Sequence, residues 1–410
     1  MGVESRSSWP AVRGWRVSGK VRFACLLPLV FGVLAKLRHP DGLFSEYRTV
    51  ACAGQHAAAG EPFYSRTLTC GGEHVPSFVY LPEVARITGA IIAVIGEPAF
   101  RLIYLALTIA SIGALIAVPL FARTVPGAWK DRLPFAAVVA GGAVLVGNVA
   151  IILHGAILAA AMLFELTPWI LVAAIVFAAW VKPVFLAALA VILVSGIGWP
   201  RKIVMTVTGI VTGLLPMLLF SVTGGEVAQQ WFDLLSHFVF DVTPGKGLLG
   251  WLQWAGINGR SPAAHLIWFV YAAALLTCGL AIPRVLRLDA SERVWLGLAI
   301  ATLAIPRIMA EDVFLIGPGL LAVGNAAWRL IPSATAAEAP ALRHGTGILH
   351  ALCAVALAGG LTAAGDVAVP LAILGFSLYL LFVGQIAVRQ ALTAGMAQLS
   401  AAGELSEVAE

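Results

Sequence analysis

Apolar stretches of membrane-spanning length follow one another along almost the whole chain, and they predict an all-α polytopic membrane protein. A helix needs about 20 apolar residues to cross a bilayer, and on that measure we expect about twelve spans. Neighbouring spans that meet near residues 150, 183 and 311 leave almost no loop, which indicates tight re-entrant hairpins. Together the spans predict one integral-membrane domain over residues 21–390. They run approximately over 21–38, 99–122, 134–150, 151–166, 168–182, 184–199, 203–223, 263–282, 294–310, 312–329, 346–364 and 367–388.

Polar residues concentrate in two long segments, 39–98 and 224–262, which the alternation of spans places on one side of the membrane. The first begins with carboxylates, histidines and two cysteines and ends in a short apolar stretch, 81–97, expected to form a helix at the interface. The second carries three tryptophans with apolar residues at helical spacing, typical of an amphipathic helix resting on lipid headgroups; a share in an acceptor or lipid site is the alternative. Ionisable groups are costly in lipid, so we expect the chemistry in the first segment.

Composition and charge then give an orientation. Hydrophobic residues make up 60% of the chain and charged residues only 11%, which excludes a sizeable soluble domain. Arginine and lysine gather in the N-terminal tail and in alternate short loops, and this bias predicts that those parts are cytoplasmic. We therefore expect a basic cytoplasmic tail at 1–20, a retained signal-anchor as first span, both polar segments in the periplasm of a bacterial inner membrane, and a disordered cytoplasmic tail at 391–410. The net charge of +5 reflects this topology and implies no nucleic-acid partner.

Two cysteines share the first polar segment. Cys52 and Cys70 lie 18 residues apart in what would be an oxidising compartment, and they form either a disulfide or two free thiols. No cysteine–histidine spacing predicts a zinc site. The chain also lacks an Asp-x-Asp pair and a Gly-rich phosphate loop, so we expect no metal, no cofactor and no nucleotide-sugar donor.

A set of short motifs in a fixed order resembles the GT-C class of polyprenyl-phosphate-sugar-dependent glycosyltransferases, specifically family 87, which includes bacterial α-mannosyltransferases. The family carries an aspartate followed by Tyr, a Gly with a Tyr near it, a Phe-x-Tyr-Pro-Pro step, a Gly-Gln step, a Lys-Pro hairpin and a late Pro-Arg step that ends in an acid. This chain departs from it in having Glu for the aspartate and Leu81 for the first proline. The matching residues are Glu46-Tyr47, Gly60, Tyr64, Phe78-Val79-Tyr80-Leu81-Pro82, Gly147-Asn148, Lys182-Pro183, Pro306-Arg307 and Glu311-Asp312.

The resemblance implies a GT-C-like fold and a membrane hexosyltransferase. Such an enzyme moves a hexose, such as mannose, from a polyprenyl-phosphate donor to a glycolipid or polysaccharide acceptor, lipid-linked or exported. The resemblance also implies an inverting, single-displacement, metal-independent reaction at the periplasmic face. It places Glu46 at the position of the family's catalytic aspartate, and Asp41 is the alternative residue for that position. The positions for donor phosphate and sugar are Lys182, Arg307, Asp312, Tyr64 and Tyr80.

The residues support sugar transfer from a lipid phosphate independently of the family resemblance. Transfer from a lipid phosphate needs a base for the acceptor hydroxyl and cations for the departing phosphate. Either Glu46 or Asp41, just outside the first span, suits the base, while a solvated acid paired with Arg48 is the plain alternative. Lys182 and Arg307 lie beside prolines in apolar surroundings, where an unpaired charge needs an anion.

Arg307, His154 and the function of the chain each have an alternative interpretation. Arg307 could instead form an internal salt bridge with Asp312 or Glu311, and His154 is either a core histidine or part of the donor site. A multi-span transporter or lipid flippase is the rival function, and a polysaccharide polymerase or acyltransferase is a third. A transporter predicts Lys182 and Arg307 in a cavity at the membrane midplane, whereas a transferase predicts them at the mouth of the outer segments.

Overall fold

The computed structural model of the chain describes residues 19, 27–38, 45–137, 146–360 and 365–407. Asp41 and most of the expected N-terminal tail lie outside the described residues, as do positions 138–145 of the expected span 134–150.

Helices account for nearly all regular structure in the described ranges. Short 3₁₀ stretches (Pro183–Leu189, Ala310–Leu315 and Ala327–Ser333) and one π-helical stretch (His237–Val242) join some of them. The α-helices are α1 Leu27–Arg38, α2 Ser45–Ala59, α3 Pro82–Ile95, α4 Glu97–Phe121, α5 Trp129–Ala137, α6 Val149–Met162, α7 Pro168–Val181, α8 Ala190–Val194, α9 Trp199–Thr223, α10 Gly225–Ser236, α11 Leu248–Trp254, α12 Pro262–Val285, α13 Ala290–Ala304, α14 Ile316–Ala326, α15 Ala339–Arg343, α16 Gly345–Gly360 and α17 Gly365–Glu407.

The helical fold class is confirmed, and within the described ranges five stretches are long and apolar enough to cross a membrane. Four further apolar helices are shorter than a bilayer requires: α6, α7, the stretch Pro183–Val194 and residues Gly345–Gly359 of α16. The spanning stretches are Glu97–Phe121, Trp199–Thr223, Pro262–Val285, Ala310–Ser333 and Asp366–Met396.

The first polar segment folds as a small unit on the ends of the spans. Its helices α2 and α3 cross closely because Gly54 and Gly89 face each other: a Cβ on Gly89 would lie 2.4 Å from the Gly54 carbonyl oxygen. Between these helices, β1 Leu68–Cys70 and β2 Glu73–Val75 form an antiparallel hairpin in which Thr69 faces His74. The helix expected over 81–97 is therefore present, and it ends at Gly96, whose φ of 81° favours glycine.

The second polar segment packs on the first. Trp231 of α10 is only 1% exposed, contacts Phe220 and donates its indole N–H to the Val79 carbonyl at 3.1 Å. The expectation that the tryptophans rest on headgroups is therefore wrong for Trp231, because a buried indole needs a polar partner and Val79 supplies it. Trp251 is half-buried and donates to the Pro370 carbonyl, whereas Trp254 is exposed.

The C-terminal segment differs from expectation as well. Helix α17 continues to Glu407, so positions 391–407 are helical where a disordered tail was expected. The sequence there consists mostly of alanine, leucine, glutamine and glutamate, which favour helix once a preceding helix supplies the first turns. Near the start of this extension, Arg389 pairs with Glu338 at 2.6 Å.

Candidate functional site

The candidate site centres on Tyr80, whose side chain joins the first polar segment to the helix ends. Its hydroxyl donates to Oε2 of Glu46 at 3.1 Å and lies 3.5 Å from Oδ1 of Asn148. The Lys182 ammonium donates to the same Asn148 oxygen at 2.9 Å and lies 5.1 Å from the centre of the Tyr80 ring. An acid, an amide, a phenol and a lysine that are far apart in the sequence therefore form one polar cluster.

The turn before α6 shapes the floor of this cluster. Gly147 has a φ of 66°, and its carbonyl accepts a hydrogen bond from the Tyr104 hydroxyl at 2.7 Å. Asn148 follows as the N-cap of α6, and its side-chain oxygen also accepts from the backbone N–H of Ala150. The backbone N–H of Glu46 donates to the Val146 carbonyl, so the same turn holds the first turn of α2.

Lys182 lies at a sharp change of direction in the chain. It ends α7 in an extended conformation, and Pro183 then opens the 3₁₀ stretch Pro183–Leu189. Because proline disfavours helical geometry in the residue before it, Lys182 leaves the helix and its side chain reaches the cluster.

Arg307 is held by the second polar segment. Its Nε donates to the Thr243 carbonyl at 2.6 Å, and its Nη2 donates to the Thr243 hydroxyl. The loop around it is also fixed by backbone bonds, from Lys246 N–H to the Ile308 carbonyl at 2.7 Å and from Leu249 N–H to the Pro306 carbonyl at 3.0 Å. Within the described part of the chain no carboxylate oxygen lies within 4.0 Å of the Arg307 or Lys182 nitrogens, so the salt bridge considered for Arg307 is not formed.

A buried acid pair completes the cluster. Asp312 is 8% exposed and accepts from Nε2 of His154 at 2.9 Å, and its other oxygen accepts from the Met309 N–H at 2.8 Å. His154 is therefore a buried partner of Asp312, and its Nδ1 has no hydrogen-bond partner among the described residues. Glu311 is buried beside them, and its electrostatic neighbours are Lys182, Asp312 and Glu46.

Tyr64 supports the site from behind. Its hydroxyl donates to the Tyr80 carbonyl at 2.7 Å, and its ring lies in an aromatic cluster with Phe63 and Phe78. Burial raises the pKa of the Tyr80 hydroxyl well above its usual value, and the negative charge of Glu46 acts in the same direction. Tyr80 therefore stays a neutral hydrogen-bond donor to Glu46 throughout the physiological pH range.

Of the two alternatives for the cysteines, the structure has the disulfide. Cys52 and Cys70 are bonded with their Cα atoms 5.8 Å apart, which ties α2 to β1. His56 lies close to both sulfurs, but sulfurs that are bonded to each other are not thiolate ligands, and the His56 ring nitrogens instead contact Glu61 and the Thr69 carbonyl.

The structure thus brings Glu46, Tyr80, Lys182, Arg307 and Asp312 to one place. Asp41 lies outside the described residues, so no position can be compared with that of Glu46. Sequence reasoning assigned no role to Tyr104 or Thr243. It treated Asn148 only as part of the Gly-Asn step, and Glu311 only as part of the late acidic step or as a salt-bridge partner for Arg307. Of these four, Glu311 carried the strongest signal, as an acid next to Asp312 in an apolar stretch.

Comparisons with protein-family models, with curated proteins and with solved structures gave no match to this chain.

Proposed function

We propose that the chain is an integral-membrane glycosyltransferase of the GT-C class, with about twelve membrane crossings and an outer-face site. It would move a hexose, such as mannose, from a polyprenyl phosphate to a glycolipid or polysaccharide acceptor. One observation carries the proposal: a half-buried carboxylate, Glu46, shares a cluster with two cations, Lys182 and Arg307, that have no carboxylate partner within 4.0 Å in the described ranges.

The proposed reaction is a single displacement with inversion. Glu46 takes the proton of the acceptor hydroxyl, and the acceptor oxygen forms a bond to the anomeric carbon of the sugar. The bond between that carbon and the phosphate oxygen breaks, and its electron pair leaves with the polyprenyl phosphate. A positioned general base contributes about 10²–10⁴-fold to such a rate.

The cations suit the departing phosphate. Lys182 has three N–H donors, one of which Asn148 engages, and Arg307 has five, of which Thr243 engages two. The remaining donors are available for phosphate oxygens, and charge that is already positioned stabilises a developing anion without reorganisation. Glu311, Asp312 and His154 lie around them, so the site balances acids against cations before a donor binds.

Tyr80 has a positioning role in this scheme. Its hydroxyl donates to one carboxylate oxygen of Glu46, which orients the carboxylate and leaves its second oxygen for the acceptor. The ring simultaneously supports the Lys182 ammonium. Base and cation therefore share one rigid side chain, which Tyr64 and the aromatic cluster hold from behind.

The position of the two cations favours this function over transport. Lys182 contacts Tyr80 of the first polar segment, and Arg307 contacts Thr243 of the second. Both therefore lie against the segments expected to be periplasmic, and a transporter would hold such charges in a cavity between the two membrane faces. With the predicted topology, both termini are cytoplasmic and the site opens to the periplasm of a bacterial inner membrane.

The test compares purified wild type, Glu46→Gln and the control Glu73→Gln. Each is incubated with radiolabelled polyprenyl-phosphate hexoses, mannose first, together with a membrane lipid extract. Glu73 is a matched acid in the same segment, 72% exposed and paired with Arg48 at the surface, where an ion pair contributes little. We expect label in a new product with wild type and Glu73→Gln, and at least about 100-fold less with Glu46→Gln.

The other outcomes are distinguishable. Equal transfer by all three proteins would support a glycosyltransferase but show that Glu46 is not its base, and Asp41→Asn would then be tested. No transfer by wild type from any hexose donor would count against a glycosyltransferase, and a vesicle flux assay would follow. Arg307→Ala should weaken donor binding, so an unchanged donor affinity would remove that residue from the phosphate site.

A further inference from the structure

A second cluster of cations lies at the opposite ends of the helices. Helix α4 begins at Glu97, which accepts a hydrogen bond from Tyr47 beside the candidate site, so its C-terminal end lies on the far face. Helix α9 likewise runs from Trp199 to a C-terminal part in which Phe220 contacts Trp231 of the outer segments. The first turn of α9 therefore lies on the face away from the site, and the end of α12 and the start of α13 lie near it, since Arg284 and Arg293 there act electrostatically on Lys202.

Lys202 is the centre of this second cluster. It is in the first turn of α9, yet it is only 5% exposed. Its ammonium donates to the Leu193 carbonyl and lies 4.9 Å from the centre of the Trp199 ring. Two further cations act on it, Arg284 at the end of α12 and Arg293 at the start of α13. The Arg293 Nη1 atom lies 3.8 Å from a Cβ built on Gly196, in the short segment that joins Leu193 to α9.

The acids nearby are engaged elsewhere. Asp289 caps α13 by accepting from the Glu292 N–H at 2.8 Å, and Glu292 accepts from the Asp289 N–H at 3.0 Å. Across the described residues, no carboxylate oxygen lies within 4.0 Å of the side-chain nitrogens of Lys202, Arg284 or Arg293. Three cations, one of them covered, thus meet without a neutralising group, which is unfavourable unless an anion binds.

The surroundings indicate what kind of anion would bind. Trp199 is half-exposed, and the outward side chains of the following turns of α9, Ile203, Val204 and Val207, are exposed and apolar. These side chains lie on a stretch long and apolar enough to cross a membrane, so lipid chains would cover them. A ligand that combines a phosphate with acyl chains matches both parts, since basic pockets between helix ends suit anionic headgroups.

We propose that Lys202, Arg284 and Arg293 form a binding site for the phosphodiester headgroup of an anionic membrane phospholipid. The phosphate lies between the ends of α9, α12 and α13, and the acyl chains follow the apolar face of α9. The site is on the face opposite to the candidate active site and is independent of the proposed transfer reaction.

The test measures lipid binding to the detergent-purified full chain by native mass spectrometry, with phosphatidylglycerol and phosphatidylcholine as probes. The variants are Lys202→Met and the exposed Arg284→Gln, whose side chain can be removed without opening the core. Lys130→Met is the matched control, because Lys130 also lies over a tryptophan, Trp129 at 5.8 Å, but is exposed.

We expect wild type and Lys130→Met to bind phosphatidylglycerol equally and more tightly than phosphatidylcholine. Each cation contributes to the affinity for an anionic headgroup. Arg284→Gln should therefore bind phosphatidylglycerol about fivefold more weakly than wild type, and Lys202→Met at least as weakly as Arg284→Gln. Equal binding of the two lipids, or unchanged phosphatidylglycerol binding by both variants, would overturn the proposal. Displacement of the lipid by millimolar glycerol phosphate would overturn the proposal that the ligand is a phospholipid and would assign the site to a soluble phosphate compound.

Discussion

The crossing of α2 and α3 gives a prediction that does not depend on the proposed function. A Cβ added at Gly89 would lie 2.4 Å from the Gly54 carbonyl oxygen and 3.3 Å from the Ala58 Cβ. Ordinary contacts of this kind begin near 3.4 Å, so Gly89→Ala requires the helices to separate by about 1 Å. Since the obstacle is a backbone atom, no side-chain rotation relieves the clash.

The expected loss follows from two opposing effects. Overpacking of this kind costs about 1–3 kcal/mol, whereas replacing glycine by alanine within a helix returns about 1 kcal/mol. The upper end of the overpacking cost applies because the backbone must move, so we expect Gly89→Ala to lower the free energy of unfolding by about 2 kcal/mol. Gly113→Ala in α4 is the control, since no atom lies within 4 Å of its added Cβ, and it should be neutral or slightly stabilising.

The assay is thermal unfolding in detergent, followed by fluorescence-detected size exclusion, with transfer activity measured on the same samples. Helix α2 carries Glu46 in its first turn, so a shift of about 1 Å should also lower activity by up to about 100-fold if the transfer proposal holds. Equal melting temperatures for Gly89→Ala and Gly113→Ala would refute the close crossing of the two helices, whatever the activity.

Three further predictions concern the first polar segment and the site. The double variant Cys52→Ser/Cys70→Ser should lose about 3 kcal/mol of stability, because the disulfide closes a loop of about 19 residues in the unfolded chain; reduction of wild type should lower its melting temperature likewise, and an unchanged value would contradict this. Tyr80→Phe should fold normally but lower the turnover rate. Wild type should not lose activity near pH 10 through ionisation of Tyr80, because burial and Glu46 raise the pKa of this hydroxyl well above its usual value. Lys182→Met should lower the turnover rate, because the charge stabilises the departing phosphate, and should also raise the KM for the charged donor. An equal effect of Lys182→Gln and Lys182→Arg would argue against a charge role.

Much of the candidate site could be predicted because charge is conspicuous in an apolar chain. Lys182, Arg307 and the adjacent acids Glu311 and Asp312 lie in otherwise hydrophobic stretches, where an ionisable group needs a specific partner. The partners themselves could not be predicted. Asp312 pairs with His154, which is 158 positions away, and Arg307 bonds to Thr243, whereas the partners considered for it were a lipid phosphate or a nearby acid. Hydropathy places a charge at a helix end but contains no information on which distant polar atom faces it.

The number of crossings was harder to predict than the helical class. Periodic hydrophobicity identifies helices, but proline and glycine divide the apolar stretches into pieces whose lengths hydropathy does not define. The expected span 184–199 is a 3₁₀ stretch followed by the five-residue helix α8, whereas Ala310–Ser333 continues as one long unit through a 3₁₀, an α-helical and a second 3₁₀ segment. A 3₁₀ stretch rises about 2.0 Å per residue against 1.5 Å in an α-helix, so equal residue counts cover unequal distances across a bilayer.

The second polar segment was expected to rest on lipid headgroups, but in the structure it packs against the first polar segment, and this changes how the site is held. A tryptophan on the headgroups would leave the first segment free to move relative to the spans, but the buried Trp231 bonds to Val79, the residue next to Tyr80. Thr243, twelve positions further along, holds Arg307. One segment therefore fixes both the loop that carries Tyr80 and the cation opposite it. In the proposed reaction, electrostatic stabilisation depends on groups that do not reorganise, and this shared support holds Tyr80 and Arg307 in fixed positions around one small cluster.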